Sequence, residues 1–144
     1  MREAITLRGD RAELARLQAF ADQFANKTGL LDDERSRLLI ILDELFANAV
    51  THGRAPQGAA GTIIVALRSS KGRLWMSFTD DGRPFDPLAF RGPELEDAPD
   101  RRAIGGLGIP IVRSLVHRAR YRRRDGRNHL YLVLRIGSHS GTGG

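Results

Sequence analysis

Two side chains at helical spacing raise the first chemical question. In DELFANAVTHG, residues 43–53, Glu44 and Asn48 stand four apart and share one face of any helix built there. Their neighbours are apolar, and leucine at both places would bury more surface. A carboxylate can take or orient a proton. A neutral carboxamide oxygen suits Mg²⁺, which accepts few protein ligands and fills its octahedron with phosphate oxygens and water.

Two more patches follow in the chain. DDGRPFDP, residues 80–87, sits at a strand end, where the Asp80 carboxylate suits the exocyclic amino group of adenine and Gly82 lets a base come close. GGLGI, residues 105–109, precedes a helix, so its backbone N–H groups can approach an anion at the positive end of the helix dipole. Taken singly, each patch also fits a blander part: a solvated charge, a turn, a tight bend. Together they describe a nucleotide site, with Glu44 one helical turn from Asn48 and near the terminal phosphate. Two commoner phosphate motifs are excluded. A P-loop needs a lysine behind its glycines, and the two lysines, Lys27 and Lys71, lie elsewhere. The dinucleotide fingerprint must follow a strand directly, whereas Gly105 follows a long loop.

The elements that must position these patches alternate along the chain. A short strand holds Ile5 and Leu7, and Asp10 with Glu13 forms a capping-box pattern. Leu14, Leu17, Phe20, Ala21 and Phe24 then recur at helical spacing until Gly29. A second helix starts at Asp32 or Asp33 and carries Leu38, Ile41, Leu42, Leu45 and Ala49 down to Gly53. Residues 54–61 read as a loop, and TIIVALRSSKGRLWMSFTDDG as two strands with a turn at 70–72. Residues 83–106, with four prolines and no sustained period, form a long loop. The helix that follows tolerates Pro110 in its first turn. A hairpin closes the fold, with its turn expected at residues 125–128.

Composition narrows the function further. With 144 residues the chain is expected to be one domain, residues 1–136, with a flexible tail at 137–144. There is no cysteine, which excludes a disulfide framework, a thiolate metal site and a cysteine nucleophile. The longest strongly apolar run, residues 38–42, is too short to cross a bilayer, so the expectation is a cytoplasmic protein with no membrane contact. The net charge is +6, with its densest basic stretch at residues 117–127. Aromatic residues scarcely interleave it, so no direct nucleic-acid partner is expected.

The three patches, in this order and spacing, resemble those of the GHKL (Bergerat-fold) ATPase superfamily, and most of all its anti-sigma factor serine/threonine kinase branch of the RsbW and SpoIIAB type. The resemblance spans roughly residues 5–136 and rests on Glu44, Asn48, His52 and Gly53, on Asp80 and Gly82 with Phe85 and Pro87 behind them, and on the glycines at 105, 106 and 108. It implies an α+β fold, a two-layer sandwich whose mixed, mostly antiparallel sheet carries helices on one face. It also implies ATP and Mg²⁺ as cofactors. Glu44 becomes the catalytic base, Asn48 the Mg²⁺ ligand, Asp80 the adenine contact, Gly82 and Phe85 part of the base pocket, and Gly105, Gly106, Leu107 and Gly108 the phosphate cradle. Residues 83–104 become an ATP lid. Pro84 replaces a glycine of the wider superfamily, and Ile104 stands where some kinases of the branch carry an arginine. The implied activity is phosphorylation of an anti-anti-sigma (antagonist) protein, with a sigma factor as the second partner and pairing of two copies possible. The alternative is a nucleotide-responsive module that sequesters its partner without catalysis.

Overall fold

Burial with a period of two runs through four segments of the chain, the signature of strands with one covered face, and a fifth, largely exposed strand joins them. The computed structural model describes residues 1–52, 61–89 and 108–137. The strands are β1 (Arg2–Arg8), β2 (Thr62–Ser70), β3 (Arg73–Asp80), β4 (Arg118–Arg124) and β5 (Arg127–Arg135); the helices are α1 (Leu14–Thr28), α2 (Asp32–His52) and α3 (Gly108–Leu115). Short 3₁₀ turns occupy Arg11–Glu13 and Pro87–Ala89.

The sheet order is β1-β2-β3-β5-β4, and each described pairing is antiparallel, so the α+β expectation holds with helices on one face. β3 and β4 both oppose β5 and therefore point the same way. The chain must cross over to join them, and α3 lies on that crossover. Leu7, Val65, Leu67, Met76, Phe78, Leu130 and Leu132 line the inner face, where Leu17 and Phe24 of α1, Leu38, Ile41 and Leu42 of α2 and Val112 of α3 join them in one core. None of the described helices is long and apolar enough to cross a membrane.

Local chemistry explains most boundaries. Gly29 ends α1 in the left-handed region at φ 70°. Asp10 does cap, its Oδ1 accepting from the Ala12 N–H at 2.9 Å, but Glu13 reaches the Arg8 N–H rather than the cap residue. Lys71 and Gly72 form one two-residue turn with positive φ at both, and Asp125 and Gly126 form the other. The second turn is shorter than the four residues expected. Asp-Gly alone satisfies that geometry, so Asn128 enters β5.

One buried carboxylate ties the start of α2 to the end of β5. Glu34, 3% exposed, accepts from the Leu31 N–H at 2.9 Å, as the third residue of a helix does in a capping box. Its other oxygen accepts from the Gly137 N–H at 2.6 Å, just past β5. Glu34→Ala strands both donors and is expected to cost about 1–3 kcal/mol. In urea unfolding this appears as a lower midpoint with an unchanged slope.

Candidate functional site

The apolar stripe of α2 does more than fill the core. Leu38, Ile41, Leu42 and Leu45 are each at most 3% exposed, and Asn48, one position further on the same stripe, is 5% exposed. Its Nδ2 donates to the Glu44 carbonyl at 2.7 Å, within the helix. Its Oδ1 is buried and has no hydrogen-bond partner among the described residues. An orphaned buried acceptor costs about 1–3 kcal/mol and calls for a reason.

Across the cleft, register sets the second group. The inner row Leu7, Ile63, Asp80, Asn128, Arg123 runs over all five strands, apolar at one end and polar at the other. Asn128 is 4% exposed and uses its whole bonding capacity. Nδ2 donates to Asp80 Oδ1 at 3.0 Å and to the Arg83 carbonyl at 2.7 Å, while Oδ1 accepts from the Tyr121 hydroxyl at 2.5 Å and the Phe85 N–H at 3.2 Å. The Gly82 N–H also donates to Asp80 Oδ1, at 3.0 Å, and Arg123 clasps the Gly82 carbonyl at 2.8 Å. Asp80 Oδ2 accepts no hydrogen bond from a described residue, so this network leaves one carboxylate oxygen uncommitted.

The cleft itself is lined by Asn48, Asp80, Phe85, Pro87, Tyr121 and Asn128 among others, and holds about 30 Å³, room for about one water. Phe85 stacks on His52 with ring centroids 5.0 Å apart and planes at 17°. The free space beside this stack is smaller than a purine ring. A wider groove of about 300 Å³ lies on the outer face of the sheet beside Trp75 and Tyr131; it is shallow, and it shares no wall with the cleft.

Burial sets the protonation of these groups. It pushes the Asp80 carboxyl above its ordinary 3.8, with bonds from Asn128 and Gly82 opposing. It also raises Glu44, helped by the neighbouring Asp43 charge, and lowers His52, which favours the neutral ring. Glu44 is half-buried one turn before Asn48, but it is not a wall of the cleft. Gly108 begins α3, which packs on α2, and Arg113 of α3 holds the Leu88 carbonyl at 2.7 Å. Gly105, Gly106, Leu107 and most of the expected lid lie outside the described residues. Asn128, Tyr121 and Arg123 were missed by sequence reasoning. The signal was there: Asn128 shares the alternating phase of Leu130, Leu132 and Leu134 once the turn is confined to two residues.

The donor set fits the group implied. Mg²⁺ takes one or two protein oxygens and leaves the rest to phosphate and water, and a buried neutral carboxamide oxygen without a partner meets that demand. The fold is the α+β sandwich expected of the GHKL kind. Residues 7–134 match the family model of the histidine kinase-like ATPase domain. The serine/threonine-protein kinase BtrW of Bordetella bronchiseptica is 34% identical over 106 residues, which cover 74% of this chain and 71% of that protein. The crystal structure of the RsbU and RsbW domains of Rv1364c from Mycobacterium tuberculosis superposes with a TM-score of 0.68 over 94% of this chain. At 20% identity that likeness is one of fold, and the chain spans 32% of the length of that structure's chain. The chain belongs to the histidine kinase-like ATPase family. ATP use is a property of that family.

The raised Asp80 carboxyl has a stability consequence with a definite sign. A folded-state value above the unfolded one means that the ionised group opposes folding at neutral pH, and that the penalty is relieved as pH falls through the folded value. Asp80→Asn keeps an oxygen for Gly82 and Asn128. It is expected to raise the neutral-pH melting temperature, with the gain over wild type vanishing toward acid pH.

Proposed function

We propose that this protein is an ATP-binding anti-sigma regulatory factor that acts as a serine/threonine kinase on an anti-anti-sigma antagonist and holds a sigma factor as its alternative partner. The single observation that carries the reading is the orphaned Asn48 Oδ1, set in the same cleft as the half-committed Asp80 carboxylate. Family membership and the kinase name of the Bordetella relative support it.

In this reading Asp80 Oδ2 accepts the adenine amino group, and Asn128 keeps that oxygen aimed by holding Oδ1. Gly82 is buried and has no Cβ to stand between the base and the strand end. Phe85 leaves its stack on His52 to make room for the base. Asn48 presents Oδ1 to Mg²⁺, which when bound neutralises charge on the phosphates. Glu44, whose proton affinity is raised by partial burial, takes the proton of the acceptor hydroxyl. The hydroxyl oxygen bonds to the γ-phosphorus as the bond to the β,γ-bridging oxygen breaks, and ADP leaves. Gly108, with the glycines before it, supplies N–H groups to the phosphates at the start of α3.

Calorimetry with ATP, with and without Mg²⁺, tests the metal assignment. Asn48→Ala should abolish the magnesium-dependent gain in affinity and leave metal-free binding nearly unchanged; an unaltered magnesium dependence would remove Asn48 from the site. Glu44→Gln should bind Mg-ATP like wild type yet transfer phosphate to the antagonist about 10²–10⁴-fold more slowly. Labelled phosphate appearing on serine or threonine at the wild-type rate in that variant rejects Glu44 as the base.

A further inference from the structure

β4 forms one margin of the sheet. It bonds β5 on one side, and no described strand pairs with the other, so a row of main-chain N–H and C=O groups is left open. Its sequence, RARYRRR, is exposed at every position but Tyr121. Arg118, Arg120 and Arg122 alternate, and therefore project together onto the outer face, opposite Val133, Tyr131 and His129 of β5. Their spacing along the strand is roughly 6.5–7 Å, two residues of rise. None of the three forms an ion pair with a described residue, whereas the inward-facing Arg123 is engaged on the Gly82 carbonyl.

A charged edge first of all keeps copies of the chain apart, because pairing β4 with β4 sets arginine against arginine. The same charges admit a strand of opposite sign. Carboxylates at alternate positions of an added strand fall cross-strand from Arg118, Arg120 and Arg122, and small apolar residues between them face Ala119 and Tyr121. Any polyanion is drawn to arginines, but only a polypeptide can also satisfy the open backbone groups.

We infer that the free edge of β4 takes an extended acidic segment of a partner protein, with Asp or Glu at alternate positions, as an added strand. The interaction involves no nucleotide, so it stands or falls apart from the kinase reading.

Fluorescence anisotropy on the full chain tests it with a labelled peptide of alternating Glu and Val, an isomer with its glutamates contiguous, and an oligothymidylate of equal charge. The alternating peptide should bind at least about tenfold more tightly than the isomer or the oligothymidylate. That preference should vanish in the R118E/R120E/R122E variant, or in R118Q/R120Q/R122Q if the first does not fold. Methylating alternate peptide amides should abolish binding in one register and leave it intact in the other. Equal binding of the two isomers, tighter binding of the oligothymidylate, or indifference to methylation in both registers overturns the inference.

Discussion

The site depends on the burial of the α2 stripe against the inner face of the sheet. Leu38, Ile41, Leu42 and Leu45 leave almost no surface to water, and each such side chain stabilises the fold by roughly 1.5–3 kcal/mol relative to exposure. That contact fixes the rotation of the helix about its axis. Asn48 lies on the same stripe, so it is carried into the interior with the leucines, whatever its own preference for water. Glu44, one turn back, comes to rest half-buried beside it. The apolar packing thus places two polar groups where polarity is costly, leaving the Asn48 oxygen without a partner among the described residues and raising the proton affinity of Glu44.

The sheet applies the same logic from its own side. A strict two-residue alternation brings Asp80 and Asn128 into one row with Leu7 and Ile63. Asn128 answers the conflict by bonding in four directions at once, to Asp80, Arg83, Phe85 and Tyr121. A fully satisfied buried amide is rigid. It therefore serves as the fixed point from which the strand end, the Gly82 turn and the wall at Phe85 are hung. Asp80 keeps one oxygen in use and the other idle, and Asn48 does likewise with its amide nitrogen and oxygen. Unspent bonding capacity on both sides of a narrow cleft is a local departure from the stability optimum, of the sort that binding sites carry.

Narrowness matters as well. With Phe85 against His52 and about 30 Å³ free, the cleft has room for little more than water, so anything larger must displace the segment that follows β3. That segment is tied down by Arg123 to Gly82, by Asn128 to Arg83 and Phe85, and by Arg113 to Leu88. The last of these ties comes from α3. Movements of that short stretch and of α3 accordingly bear on one another.

Much of this was legible in the sequence. The periods of 3.6 and 2, the glycine at the end of α1 and the two Gly-containing turns marked the elements, because backbone geometry there is dictated within a few residues. The four-residue interval of Glu44 and Asn48 put both on one face for the same reason. What the sequence could not state is which groups from distant segments share a row or a cavity. Asn128 was read as turn because a polar residue beside Asp-Gly looks local, and only the pairing of β5 with β3 sets it 3.0 Å from Asp80. The vacancy at Asn48 Oδ1, the Phe85 stack on His52 and the long reach from Glu34 to Gly137 are likewise properties of packing. Periodicity assigns a side chain to a face; only the assembled layers decide what that face meets.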